Sequence, residues 1–360
     1  MFQLLCACCV PSHMLSLKYL VVRCFAALFT SFISSMYCFP KMIKFCNINT
    51  KFYQPIRSDG PVSHIANKQN TPSMGGTIII LSSVFAILLW GDLTNLYLWL
   101  LLATLSSFGA IGFYDDYKKI ISSCKQGLSV KKKFFLQILC ALLVLLIMYL
   151  FNNTYDPSTI VLPFFNRQII HLNGFYYIFA ILVIVGSSNA VNLTDGLDGL
   201  AIVPVVMVSL VFALLSCLTG SLPFSEYLGL FYVPGSSEIS IICSAIIGSG
   251  LGFLWFNSNP AKIFMGDTGS LSLGAVLGVM SVIVKQEVIL FIAGFLFVLE
   301  ALSVVIQVSY YKLYRKRVFK MAPLHHHFEK SGSNENTLVI RFWIVAFLLA
   351  LIALGTIGTY

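Results

Sequence analysis

Charge is what this sequence has least of. Asp, Glu, Lys and Arg together make up 10% of its 360 residues, against about 25% in a soluble domain. With 58% hydrophobic residues and a mean hydropathy of +0.87, the chain cannot clothe a water-soluble globule. Paired cysteines are missing too. Ten cysteines occur with no second CxxC to pair with the Cys6–Cys9 spacing near the start, which argues against a zinc site and a disulfide framework; in apolar runs cysteine acts as a small hydrophobe. The first sixteen residues lack a basic segment and a clear cleavage site, so no secretory signal peptide is expected there. They read as a poorly defined N-terminal extension. No Walker GxxxxGK[ST], GxSxG or HExxH is present, so a glycine-rich phosphate nest and two familiar hydrolytic sites are out. Repeats, low-complexity tracts and a separate soluble domain are absent as well, and residues 1–360 read as one polytopic membrane domain.

What the sequence does have is apolar runs of bilayer length. A helix needs ~20 apolar residues to cross a ~30 Å hydrocarbon core, and an open strand would leave backbone groups unsatisfied in lipid. Ten stretches qualify or nearly qualify: 17–39, 74–91, 96–113, 134–151, 174–190, 199–219, 239–256, 268–284, 288–311 and 338–359. The expected fold class is an all-α integral membrane protein with about ten transmembrane helices.

The loops between these runs are strongly asymmetric. One alternating set holds Lys41, Lys44, Lys51, Arg57 and Lys68, then Lys118, Lys119, Lys125, Lys131, Lys132 and Lys133, then Lys262, then Lys312, Arg315, Lys316, Arg317, Lys320 and Lys330. The opposite loops hold Arg167 and Lys285. Eighteen cations against two put the first set in the cytoplasm by the positive-inside rule, with both termini outside. The net charge of +9 is then a loop bias toward one leaflet, and nucleic acid is not expected as a partner.

Carboxylates cluster on the basic side. In Gly112-Phe-Tyr-Asp-Asp-Tyr-Lys-Lys119, Asp115 and Asp116 would repel unless cations offset them. The pair reads either as a charged helix terminus or as ligands for a hard ion such as Mg²⁺, which takes one or two carboxylates plus substrate phosphates. In Asn189-Ala-Val-Asn-Leu-Thr-Asp-Gly-Leu-Asp-Gly199, a helical segment would put Asn192, Asp195 and Asp198 on one face. A capped helix start, with Thr194 or Asp195 as the cap, is the alternative. In Asn257-Ser-Asn-Pro-Ala-Lys-Ile-Phe-Met-Gly-Asp-Thr-Gly-Ser270, Pro260 closes one helix and Asp267 either caps the next or joins a site. The run Met321-Ala-Pro-Leu-His-His-His-Phe-Glu329 cannot aim three imidazoles one way, so a three-histidine metal centre is not expected from it. One or two of its rings could still reach phosphates. Aspartates from three loops, basic residues and no other catalytic kit point to Mg²⁺-dependent chemistry on phosphate esters.

These segments, in this order, resemble the phospho-N-acetylmuramoyl-pentapeptide-transferase family, a branch of the polyprenyl-phosphate N-acetylhexosamine-1-phosphate transferase superfamily. The resemblance runs from about residue 40 to the C-terminus. It also includes Asp59-Gly-Pro-Val-Ser-His64, Thr71-Pro-Ser-Met-Gly-Gly76, Phe253-Leu-Trp-Phe256 and Arg341-Phe-Trp343. The histidine triplet after Met-Ala-Pro favours the muramoyl-pentapeptide branch. Asn70, Ser73 and Ser333 depart from the residues usual in the family, namely Gly, Thr and Trp.

The resemblance implies ten spans, termini outside and a cytoplasmic active site in the bacterial inner membrane. It implies the transfer of phospho-MurNAc-pentapeptide from UDP-MurNAc-pentapeptide to undecaprenyl phosphate, giving lipid I and UMP with Mg²⁺. It places Asp267 on the metal with Asp115 and Asp116 close by, and makes Asp115 the base for the lipid phosphate. It puts Lys68, Lys125, Lys131 and Lys133 near the substrates. Asn192, Asp195, Gly196, Leu197 and Asp198 would line the nucleotide pocket with Phe264 stacked on uracil, and His325, His326 and His327 would lie near the pyrophosphate or sugar. The lipid bilayer is an implied partner, and a homodimer an allowed assembly. Two other classes stand against this reading: a transferase of N-acetylglucosamine-1-phosphate to the same lipid, and a secondary transporter. A transporter places ionisable groups near the bilayer midplane, where only Glu300 falls here.

Overall fold

The computed structural model describes residues 12–48, 71–121, 127–151, 159–161 and 169–357. It is built of helices: α1 (Ser12–Ile48), α2 (Gly76–Trp90), α3 (Leu96–Ile121), α4 (Val130–Phe151), α5 (Phe175–Thr194), α6 (Ile202–Thr219), α7 (Leu222–Leu228), α8 (Ile239–Asn257), α9 (Gly266–Ile283), α10 (Glu287–Ala293), α11 (Phe295–Tyr314), α12 (Leu324–Glu329) and α13 (Glu335–Gly355). One short antiparallel hairpin, β1 (Thr159–Val161) and β2 (Ile169–His171), lies between α4 and α5. Among the described residues nine helices are long and apolar enough to cross a bilayer, and the 15-residue α2 is a tenth apolar helix. The expected all-α membrane architecture is what the chain adopts.

Helix ends differ from the hydropathy windows in informative ways. α1 runs from Ser12 to Ile48, beyond the apolar 17–39, because a helix once started gains one backbone hydrogen bond per added residue whether or not lipid surrounds it. α3 likewise continues to Ile121, so Asp115 and Asp116 sit inside a helix rather than after it. The expected span 288–311 is two helices, broken at Gly294; hydropathy cannot see the break because both pieces are apolar.

α9 is the central element. It packs against α3 and α5, and 89% of its spanning window is buried, compared with 22% for α1. Small residues allow this enclosure, since without a hydrophobic drive between helices in lipid, close backbone approach and interhelical hydrogen bonds hold them together. Ser187 Oγ donates to the Gly274 carbonyl at 2.7 Å and Ser188 Oγ to the Leu271 carbonyl at 2.8 Å, pinning α5 along α9. In contrast α4 exposes Leu142, Leu143, Leu146 and Leu150, an apolar face suited to acyl chains.

Acidic residues also meet partners at the end where α5 and α8 begin and α9 finishes. Arg23 grips both Glu238 carboxylate oxygens at 2.7 and 2.8 Å. Tyr176 Oη donates to Glu287 at 2.5 Å, and the buried Lys285 ammonium lies 3.9 Å from the Tyr176 ring centre. These carboxylates fasten helix ends to one another. The opposite end, where α3 and α5 finish and α4 and α9 begin, carries the candidate site.

Candidate active site

Three carboxylates, two ammonium groups and one amide converge where α9 starts. α3 brings Asp115, Asp116 and Lys119 on one turn, because residues three and four apart share a helix face. α4 brings Lys133 from its first turn, α5 Asn192 from its last, and α9 Asp267 from its first. Asp267 Oδ2 lies 2.9 Å from Lys119 Nζ and 2.6 Å from Lys133 Nζ, while Oδ1 accepts from Asn192 Nδ2 at 2.8 Å. Lys119 also reaches Asp115 Oδ2 at 2.6 Å, and Lys133 stands 3.8 Å from that same oxygen. The Lys119–Asp267 contact joins residues 148 apart in the chain. A Cβ on Gly112 would collide with the Asp267 carbonyl oxygen, so glycine is what lets α3 come this close.

The two adjacent aspartates do different work. Asp115, 2% exposed, has one oxygen held by the Leu128 N–H at 2.5 Å and turns the other toward the lysines. Asp116, fully buried, accepts from Thr268 N at 3.0 Å, Thr268 Oγ1 at 2.9 Å and Asp267 N at 3.2 Å. It therefore serves as the N-terminal cap of α9, supplied by another helix. A cap contact is worth about 1 kcal/mol, and a carboxylate there also suits the positive end of the helix dipole. Asp267, expected as a possible cap itself, is released from that task and faces the lysines.

One oxygen from each of Asp115, Asp116 and Asp267 lies within 4.8 Å of the other two. Three carboxylates against two ammonium groups leave a net negative cluster, and its donors are hard oxygens, the kind Mg²⁺ takes. The residues present fit such an ion.

The expected stripe of Asn192, Asp195 and Asp198 does not form. α5 ends at Thr194, and Asp195 is its C-cap in a non-helical conformation. The chain then turns, with Gly199 at φ +75°, a left-handed conformation that glycine adopts without strain. Asp198 is buried and accepts from Ala261 N at 3.0 Å, while its own N–H donates to Glu335 at 3.2 Å. The Leu197 side chain packs with Leu200, Leu296 and Leu338, so what it can offer a ligand is backbone. Asp195 stays near the cluster: burial first, then the charges of Asp267, Asp116 and Asp198, push its carboxyl up from 3.8 to about 7. The folded protein thus keeps a proton that the unfolded chain gives up, and this group favours the fold less as pH rises through that window. The expected result is that metal-free protein loses thermal stability across that window more steeply than Asp195→Asn, measured by melting in detergent; parallel curves would contradict it.

Phe264 is half-buried, its N–H donating to the Pro72 carbonyl at 2.9 Å and its carbonyl accepting from Gly75 N at 2.8 Å. The histidines diverge on α12, as three successive positions must. His325 is buried against Glu300, His326 contacts Glu329 Oε2 at 3.1 Å, and His327 Nδ1 accepts from Lys320 N at 3.1 Å. Lys131 is exposed, two positions from Lys133 and so on a different side of α4. Lys68 and Lys125 lie outside the described residues. One participant was not singled out from sequence, Lys119, which its i+3 and i+4 spacing from the aspartates could have flagged; Ser270 joins the site through its Oγ, which accepts from Asn192 at 2.8 Å.

Two family models match. One, described as glycosyl transferase family 4, covers residues 98–285, a stretch that holds all three aspartates. The other, described as phospho-N-acetylmuramoyl-pentapeptide-transferase signature 1, covers residues 68–80. The chain is 51% identical over 340 residues to the phospho-N-acetylmuramoyl-pentapeptide-transferase of Pelagibacter ubique, covering 94% of each chain. It is 51% and 50% identical to the proteins of that name from Rickettsia bellii and Rickettsia prowazekii, over 96% of each chain.

Proposed function

The chain belongs to the phospho-N-acetylmuramoyl-pentapeptide-transferase family, and from that premise we propose that its Asp115–Asp267–Lys119–Lys133 cluster is where phospho-MurNAc-pentapeptide passes from UDP-MurNAc-pentapeptide to undecaprenyl phosphate. The products are lipid I and UMP. It is a multi-pass protein of the bacterial inner membrane, and the basic loops put this end of the bundle in the cytoplasm, where a soluble nucleotide-linked donor would meet a lipid acceptor. The observation that carries the reading is the junction of α3, α4, α5 and α9 around Asp267.

An oxygen of the lipid phosphate attacks the phosphorus that bears the sugar. The bond from that phosphorus to the UMP oxygen breaks, and its electron pair leaves with UMP. Both reactants are anionic, so the protein's task is to position them and to offset charge. Lys119 and Lys133, already placed among carboxylates, are the groups that turn toward phosphate oxygens. Asp115, with one oxygen fixed by Leu128, takes the remaining proton of the lipid phosphate. Asn192 and Ser270 hold Asp267 in orientation, and Asp116 holds the start of α9. Asp267, Asp115 and Asp116 would hold a Mg²⁺, which supplies neutralisation of the pyrophosphate and of departing UMP. Asp195, Gly196, the Leu197 backbone, Asp198 and Phe264 form the nucleotide side of the site, with the histidines on the phosphate and sugar side.

The test is UMP release from purified protein offered each sugar nucleotide separately. UMP is expected from UDP-MurNAc-pentapeptide only when undecaprenyl phosphate is present, with loss on adding EDTA and recovery with Mg²⁺. Equal release from UDP-N-acetylglucosamine would move the chain to the other branch.

A further inference from the structure

Glu300 falls at the middle of the expected span 288–311, and it is completely buried on α11. Its carboxylate faces the start of α12. It accepts from Leu324 N at 2.8 Å and His325 N at 3.2 Å, the first amides of α12, and it meets His325 Nδ1 at 3.1 Å. One buried side chain thus ties down both the backbone and the ring of the first histidine. Two backbone N–H groups already donate to this carboxylate, and an acceptor beside Nδ1 favours the tautomer that carries its proton there, which leaves Nε2 as the ring's acceptor. His325 is itself 1% exposed, and its Nε2 meets no hydrogen-bond partner among the described residues. That atom sits directly over Gly196, where a Cβ would collide with it. A buried polar atom left unpaired is destabilising, and a ligand group arriving at Gly196 would relieve it.

We propose that Glu300 is a positioning residue for the transfer reaction: through Nδ1 it sets the orientation and tautomer of His325, so that Nε2 presents an acceptor over Gly196 to an N–H or O–H of the nucleotide-linked donor. This rests on the reading of the 195–199 turn as the nucleotide side of the site. Glu300 touches no substrate; it acts through the ring. In the Glu300→Gln variant the isosteric amide would present an N–H₂ that can donate to Nδ1 and drive the proton to Nε2, turning the presented acceptor into a donor.

The experiment compares steady-state kinetics of the full-length chain in detergent with Glu300→Gln, Glu300→Asp, His325→Ala and the Glu300→Gln/His325→Ala double variant. Glu300→Gln is expected to raise KM for UDP-MurNAc-pentapeptide about tenfold, the scale of losing a buried orienting partner, with KM for undecaprenyl phosphate unchanged. Glu300→Asp should recover part of the loss. The double variant should be no worse than His325→Ala, since Glu300 works through that ring. Gly196→Ala, which leaves the carboxylate intact but crowds Nε2, should reproduce the donor-specific rise even if Glu300→Gln melts at lower temperature. An unchanged donor KM in both Glu300→Gln and Gly196→Ala, or additive losses in the double variant, would overturn the assignment. Failure of the parent chain to release UMP from this donor would instead overturn the underlying reading.

Discussion

Asp267→Asn is expected to release UMP at roughly 10⁻³ of the parent rate, the scale on which removal of one preorganised electrostatic group slows catalysis. The substitution keeps the shape of the side chain, and the amide oxygen can still accept from Asn192. What it removes is the anionic Oδ2 that lies 2.9 Å from Lys119 and 2.6 Å from Lys133. In its place stands an N–H₂ group facing two ammonium ions, which repels them and offers a hard cation nothing. Because Asp267 sits at the meeting point of four helices, no neighbouring carboxylate can take over without moving a helix. The check is lipid I synthesis with matched size-exclusion profiles. A rate within tenfold of the parent would remove Asp267 from the centre of the site.

Lys133→Met should lower turnover about a hundredfold, the lower end of the same electrostatic scale. Lys133 is the residue by which α4 enters the site, and its ammonium contacts Asp267 while standing 3.8 Å from Asp115. Methionine retains the apolar stem, so loss of activity would report the charge rather than the packing. Arginine is not expected to rescue, since a planar fork cannot occupy the point between two carboxylates that a compact ammonium fills. The neighbouring Lys132 is exposed, and Lys132→Met should leave the rate within about twofold, as surface charges away from a site usually do. A comparable loss in both variants would mean that the positive charge of the loop as a whole, rather than one ammonium, is what matters.

Much of this was legible in the sequence because charge is so scarce there. In an apolar chain each aspartate stands out, and Asp115, Asp116 and Asp267 do meet. The division of labour within the pair was not legible. Asp116 caps a helix that starts about 150 residues later, its contact with Asp267 N spanning 151 positions, and only the packing of α3 on α9 reveals that. The reading of Asn192, Asp195 and Asp198 as one stripe assumed a helix running on past Thr194, where it ends; the glycines at 196 and 199 lie in the turn that follows. Glu300 drew notice as a mid-span charge, but its partner lies 25 residues on, past a loop whose return path no local pattern encodes. The break at Gly294 was hidden because hydropathy is blind to a kink between two apolar segments.

The central claim is that helices distant in sequence build one oxygen-lined cation site at Asp267. Mn²⁺ accepts the same hard oxygen ligands as Mg²⁺, so its binding to purified chain can be counted by paramagnetic resonance without any substrate. One Mn²⁺ per parent chain, displaced by Mg²⁺ and lost in Asp267→Asn, is the expected result. Stoichiometric binding that survives Asp267→Asn unchanged would place the metal elsewhere and contradict the account.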